Sequence, residues 1–183
     1  MADEALRGFT NISGDLINNN LQTAMFMLKI GDKLASTVDG FNDFAVVQKW
    51  SFGMEHYLQG YISDQVKPRR PTSATPLEVY LLHGDYIPKL LTMVVNQEPI
   101  ADDGTSLVMI GSAAGVNQEL MRIKLTSAVV ESVGLSTEFF PFFRVLIRYK
   151  IVEVTCNNYS QTDLTNAGTV AFGYDFSINK TTG

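Results

Sequence analysis

Ser51, Glu55 and His56 fall together in the stretch "KWSFGMEH" at 49–56, beside the chain's single tryptophan and one of its two histidines. A hydroxyl, a carboxylate and an imidazole are the parts of nucleophilic catalysis, in which the base takes the hydroxyl proton while the carboxylate orients the base. That chemistry requires the three side chains to converge. The stretch reads as a strand, and its period of two puts Ser51 and His56 on opposite faces unless the strand breaks at Gly53. Alternation instead groups Val46, Trp50, Phe52 and Met54 as an apolar face and Lys49, Ser51 and Gly53 as its reverse. No catalytic residue is assigned, and Trp50 is expected in the core.

Other reactive side chains are isolated. His83 precedes a helix and has no neighbour at metal-ligand spacing, so no metal site is expected. Cys156 is the one cysteine, which excludes an intramolecular disulfide, and at a strand end it reads as a small apolar residue. The run "GSAAG" at 111–115 lacks the lysine and the strand-to-helix setting of a phosphate loop and reads as a hairpin turn. No cofactor is expected.

Charge and hydropathy limit the partners. A net charge of −5, with "KPRR" at 67–70 as the one dense basic cluster, argues against binding nucleic acid, whose phosphates need a positive surface. No run reaches the roughly 20 apolar residues that cross a bilayer, so no membrane insertion is expected. The start "MADEALRGFTNISGDLINNN" has neither a basic opening nor an apolar core, so secretion would use a route that reads no cleaved signal.

These residues sit on a pattern of strands. With 45% hydrophobic and 18% charged residues, 183 positions suit one folded domain. Residues 1–22 read as a partly flexible N-terminal arm and 23–183 as the domain. "AMFMLKI" places Phe26, Leu28 and Ile30 on one face, and "FAVVQKWSFGM" follows as the second strand. A long segment to Pro76 carries Tyr57, Leu58, Tyr61, Ile62 and Val66 among prolines that cannot sit inside a sheet, so it is expected to dock on something. "LEVYLL" reads as a strand. "GDYIPKLLTMVVNQE" reads as the helix, with Asp85 as its cap, Pro88 in the first turn, and Ile87, Leu90, Leu91 and Val94 on one face.

The remainder is strand pattern: "LVMIGS", "QELMRIKLTSAVVESV", "FFRVLIRYKIVEVTC" and "GTVAFGYDFSI". In the third, Val145, Ile147, Tyr149 and Ile151 share a face and the phase then slips to Val152, Val154 and Cys156, which predicts a bulge near Ile151 and Val152. In the last, Val170, Phe172, Tyr174, Phe176 and Ile178 alternate with small or polar residues. Two second faces are mixed, Arg122, Lys124, Thr126, Ala128 and Val130 on one and Arg144, Leu146, Arg148 and Lys150 on the other, as faces toward a channel, ligand or partner often are. Strands with one helix predict an antiparallel barrel or sandwich.

The order "MFMLKIGD", "KWSFGMEH", loop, "PLEVYLLHGDYIPKLL", "MRIKLTSAVVESV" and "GTVAFGYDFSIN" resembles the Hcp family, the tube proteins of bacterial type VI secretion systems, related in fold to phage tail-tube proteins. The resemblance covers about residues 24–179 and departs in the longer arm and in "HGDYIP" at the helix start. It implies a mainly β fold, an antiparallel β-barrel of two sheets flanked by one α-helix. It also implies a structural, non-enzymatic subunit of homo-hexameric rings that stack into a tube, which a contractile sheath ejects with a spike protein and with effectors in its lumen. Such a protein starts in the bacterial cytoplasm and is secreted without a cleaved signal peptide. The resemblance makes Lys49, Ser51 and Gly53 lumen- and cargo-facing, and Tyr61, Ile62, Val66, Lys67, Arg69 and Arg70 part of a ring-stacking loop. A phage-type tail-tube protein and a monomeric barrel holding a small ligand are the alternatives.

Overall fold

Alternation becomes strands where one side of the chain can be buried. The computed structural model describes residues 23–36, 38, 40–55, 72–113, 116–135, 142–159 and 166–182. Among them run β1 (Thr23–Ile30), β2 (Phe44–Ser51), β3 (Met54–Glu55), β4 (Ser73–Ala74), β5 (Leu77–Leu82), α1 (Tyr86–Asn96), β6 (Thr105–Ala113), β7 (Val116–Thr126), β8 (Val129–Leu135), β9 (Phe142–Arg148), β10 (Ile151–Tyr159), β11 (Asn166–Asp175) and β12 (Lys180–Thr181). Ten strands form one antiparallel sheet in the order β12-β11-β10-β7-β6-β1-β2-β5-β9-β8, and β3 pairs with β4 apart from it. The arm, 1–22, lies outside the described residues.

This sheet wraps around a single core. Leu107, Ile123, Leu125 and Val152 from one half meet Val79, Leu81, Val130, Val145 and Ile147 from the other in one cluster, with Leu28 and Ile30 of the central β1 between them. Burying each such side chain contributes roughly 1.5–3 kcal/mol, so the fold's stability is concentrated where the two halves meet. The mainly β fold with one helix is the expected architecture. Among the described residues the ladder itself stays open, with β8 at one end and β12 at the other.

The crossover from one half to the other is made at Tyr149 and Lys150. Tyr149 is buried, its ring lies 6.1 Å from Phe52 and 5.8 Å from Phe176, and its hydroxyl donates to the Thr75 carbonyl at 3.1 Å. Phe52 follows β2, Thr75 precedes β5 and Phe176 follows β11, so one side chain ties the two layers together. The phase slip expected as a bulge at Ile151 and Val152 is therefore a chain break between β9 and β10, after which Val152 and Val154 point into the shared core. A second crossover replaces the single strand expected for "QELMRIKLTSAVVESV". β7 pairs with β6 and β10, β8 pairs with β9, and Ser127 at φ 52° turns the chain so that Ala128 and Val130 enter the core instead of sharing the face of Arg122 and Lys124.

The helix lies on β8 and contributes Tyr86, Ile87, Leu90 and Met93 to the core. Met93 takes the place expected for Leu91, which is 44% exposed one position round from the buried line. Asp85 occupies the N-cap position, but its backbone is already helical (φ −66°, ψ −13°) and its side chain makes no capping bond. After the helix, the Ile100 amide donates to the Ala128 carbonyl at 2.9 Å and Pro99 bridges to Val129, covering the start of the β8 edge.

Burial holds the Tyr149 phenol above its ordinary pKa near 10. A raised folded value means that the unfolded chain loses this proton first, so the contribution is intact below pH ~10 and declines as pH rises beyond it. Replacing Tyr149 with Phe removes both the bond to Thr75 and the titration. Denaturant unfolding of Tyr149→Phe is expected to show a loss of about 1 kcal/mol at pH 7 and a shallower alkaline decline than the parent; parallel declines would contradict the assignment.

Candidate functional site

The face of the sheet turned away from the core holds the polar residues that alternation singled out. A bulge changes its membership. Pairing between β2 and β5 shifts register between Val47 and Lys49, so Val47 and Trp50 both face the core although they are three positions apart. Val46, expected beside Trp50, lies on the reverse with Phe44 in a second cluster. Trp50 packs at 5.2 Å from the Phe26 ring, and Phe52 and Met54 also pack against the core, as expected.

Beyond the bulge, Lys49 and Ser51 share the outer face. Lys49 is paired in register with Tyr80 and then Arg144; Ser51 is paired with Glu78 and then Leu146. Arg144 grips Glu78 with both ends of its guanidinium, Nε to Oε1 at 2.8 Å and Nη2 to Oε2 at 3.1 Å, and the Tyr80 hydroxyl donates to the same Oε1 at 2.7 Å. Lys49 Nζ stands 5.6 Å from the centre of the Tyr80 ring. Next to this group Arg148 donates to Glu131 at 2.6 Å. The bonds from Arg144 hold the Glu78 carboxyl below its usual range, against the opposing effect of burial.

Gly53 lies past the end of β2, where its carbonyl accepts two bonds at 3.0 Å, one from the Thr75 amide and one from the Thr75 hydroxyl. It anchors the turn into β3. Ser51 and Glu55 are not brought together, since Ser51 ends β2 and Glu55 pairs with Ser73 across the separate ladder. His56 and the loop candidates Tyr61, Ile62, Val66, Lys67, Arg69 and Arg70 lie outside the described residues. Among the described residues no group of His, Cys, Asp and Glu has metal-binding geometry.

Across β1 and β6 the same outer face changes character. Met27, Phe44, Val108 and Ile110 form a buried apolar cluster there, covered by Val38 and Phe41 from the segment after β1. Further along, ion pairs return, with Arg122 on Glu119 and Lys124 on Asp103 at 2.6 Å. The outer surface is therefore two charged flanks around an apolar, strapped centre. Glu78 and Tyr80 were not singled out from the sequence, although the alternation of "LEVYLL" puts them on one face; their union with Arg144 carries no local signal, because 66 positions separate Arg144 from Glu78.

No family model matches the sequence, and no curated protein matches it. Solved structures do. A type six secretion system protein aligns at TM-score 0.73 with 17% identity, over 87% of this chain and 100% of its own. Hcp1 from Salmonella typhimurium aligns at TM-score 0.62 with 19% identity, over 87% of this chain and 99% of its own. The secreted protein Hcp3 from Pseudomonas aeruginosa aligns at TM-score 0.51 with 16% identity, over 81% and 97%. A rolled antiparallel sheet with one helix on its edge is thus a known class of fold. It is the fold of the Hcp proteins.

A lowered folded pKa at Glu78 contributes stability above the ordinary carboxylate range, and that contribution is lost as pH falls through the folded value. Arg144 is 47% exposed, so solvent screens the pair and the expected effect is at most about 1 kcal/mol. Glu78→Gln is expected to lower stability by this amount at pH 7, with the difference from the parent closing at acid pH below the ordinary carboxylate range. An undiminished difference at that pH would contradict the role assigned to the charge.

Proposed function

We propose that this protein is the inner-tube subunit of a type VI secretion system, assembling as hexameric rings that stack into a tube. The observation that carries the proposal is the Hcp fold, matched over 97–100% of the length of the compared structures. The resemblance of its strand motifs to the same family, in the same order, supports it independently of the fold.

The sheet's edges supply a physical reason for assembly. Among the described residues, β12 pairs only with Tyr174 and Asp175, and Thr182 with Gly173, which leaves the outer backbone of β11 from 166 to 172 without a ladder partner. At the other end, β8 is bridged by Pro99 only at Val129. Unpaired edges template pairing with another chain. Two different edges at opposite ends of one sheet favour head-to-tail contacts, which close as a ring when the rotation permits.

In this assembly the outer face with Lys49 and Ser51 lines the bore, Gly53 borders it, and effectors ride against it. Residues 58–71 reach toward the adjacent ring through Tyr61, Ile62, Val66, Lys67, Arg69 and Arg70. The spike and contractile sheath are the remaining partners, the protein performs no catalysis, and export uses no cleaved signal. A phage-type tail tube shares every one of these features except its machine. A monomeric ligand-binding barrel is disfavoured because the interior is filled by fully buried side chains such as Leu28, Leu77, Leu81, Leu107 and Ile147.

Size-exclusion chromatography with light scattering is expected to give about six protomers per particle; a monomer at micromolar concentration would overturn the proposal. Deleting Tyr61 to Val66 is expected to leave rings intact while abolishing stacking and secretion. Unchanged secretion would remove the loop from the account.

A further inference from the structure

We infer that β12 is a stop on the sheet's edge, which confines strand addition by a second copy of this chain to residues 166–172 of β11. The inference rests on the ring assembly proposed above. β12 and the residue after it occupy the outer side of β11 from Gly173 to Asp175: Lys180 pairs with Asp175, Thr181 pairs with Tyr174, and the Thr182 amide donates to the Gly173 carbonyl at 2.9 Å.

The return that places β12 there is fixed by its own residues. Asp175 Oδ1 accepts from the Ser177 amide at 2.8 Å and from the Ser177 hydroxyl at 2.6 Å, and the Phe176 amide donates to the Lys150 carbonyl at 2.9 Å. Asn179 then takes a left-handed φ of 53°, which asparagine tolerates better than most residues. Thr182 comes to rest against Gly173, the one buried residue of β11. A Cβ at Gly173 would stand 2.3 Å from both the carbonyl and the hydroxyl oxygen of Thr182, so only glycine admits the return. The Thr182 hydroxyl is buried there without a hydrogen-bond partner among the described residues, a cost that the fit against Gly173 has to offset.

The rest of the edge cannot set a register by itself. Residues 166–172 read "NAGTVAF", uncharged and with small side chains at most positions. Side chains alternate with period two, so an added strand that slides by two residues returns every side chain to its own face, and burial does not oppose the slip. A ring closes only if every contact repeats one rotation; a slipped contact changes the rotation and leaves an open chain of subunits. A block at Gly173 removes the slip toward β12, because the incoming strand finds no free backbone past Phe172.

Gly173→Val is expected to displace Thr182, whose amide then exchanges at least about tenfold faster, and removing residues 179–183 deletes the stop without touching β11. By light scattering and electron microscopy, both variants are expected to lose the single closed ring of the parent and to give particles of mixed size, with unchanged far-UV circular dichroism. Closed rings of parental size in a variant whose β12 is displaced or absent would overturn the stop and leave the ring assembly standing. A monomeric parent would overturn the ring assembly; the stop then stands as a guard of the edge if the variants associate where the parent does not, and falls if they stay monomeric. If Gly173→Val fails to fold, the shortened chain, which changes no residue of β11, decides alone.

Discussion

One sheet serves as two layers because the chain crosses between its halves, and Tyr149 holds the crossing in place. Its ring stacks on Phe52 and meets Phe176 edge-on, and its hydroxyl reaches the backbone before β5. Across Tyr149 the chain changes partners, from β5 and β8 on the β9 side to β7 and β11 on the β10 side. With it, Val145 and Ile147 on one side of the break and Val152 on the other enter the same core. The rest follows from that convergence: the helix covers the β8 side, and the outer face is left for surface work.

The outer face is where the chain's polar residues acquire geometry. On β2, β5, β8 and β9 the charges are partnered: Glu78 is held by Arg144 and Tyr80, and Arg148 by Glu131. Partnered charges present a polar surface of nearly fixed shape without the cost of leaving an ion unpaired. On the proposed tube reading, this is the surface that cargo in the bore would meet. The neighbouring centre of Met27, Phe44, Val108 and Ile110 is instead sealed by Val38 and Phe41, so the sheet does not expose its apolar reverse side.

Much of this was legible from alternation. Phe26, Leu28 and Ile30 face the core as their period of two requires, and Lys49 and Ser51 share a face for the same reason. What escaped was every change of phase whose cause is not local. The bulge between Val47 and Lys49 falls in "VVQKW", which has no glycine to announce it, and it moved Val46 to the reverse cluster. Ser127 takes a positive φ that its residue type does not signal, and there the chain leaves one half of the sheet for the other. At Ile151 the slip was visible but its cause was tertiary, because only the finished core shows that the two strands belong to different layers. The alternation of Val170 and Phe172 was equally plain, and the single chain leaves both exposed.

Among the described residues the sheet has unpaired stretches at both ends, and such edges template pairing with another chain. β11 offers an uncharged edge from 166 to 172, and β8, which carries Glu131, is the sheet's other end, bridged only at Val129 among the described residues. Joining one to the other would continue the sheet from subunit to subunit and keep the partnered charges on one side of the ring. Electron microscopy of the purified protein tests this most directly. Six-fold rings with an open bore, singly or in stacks, are expected, and a field of isolated monomers at micromolar concentration would contradict the proposed tube assembly.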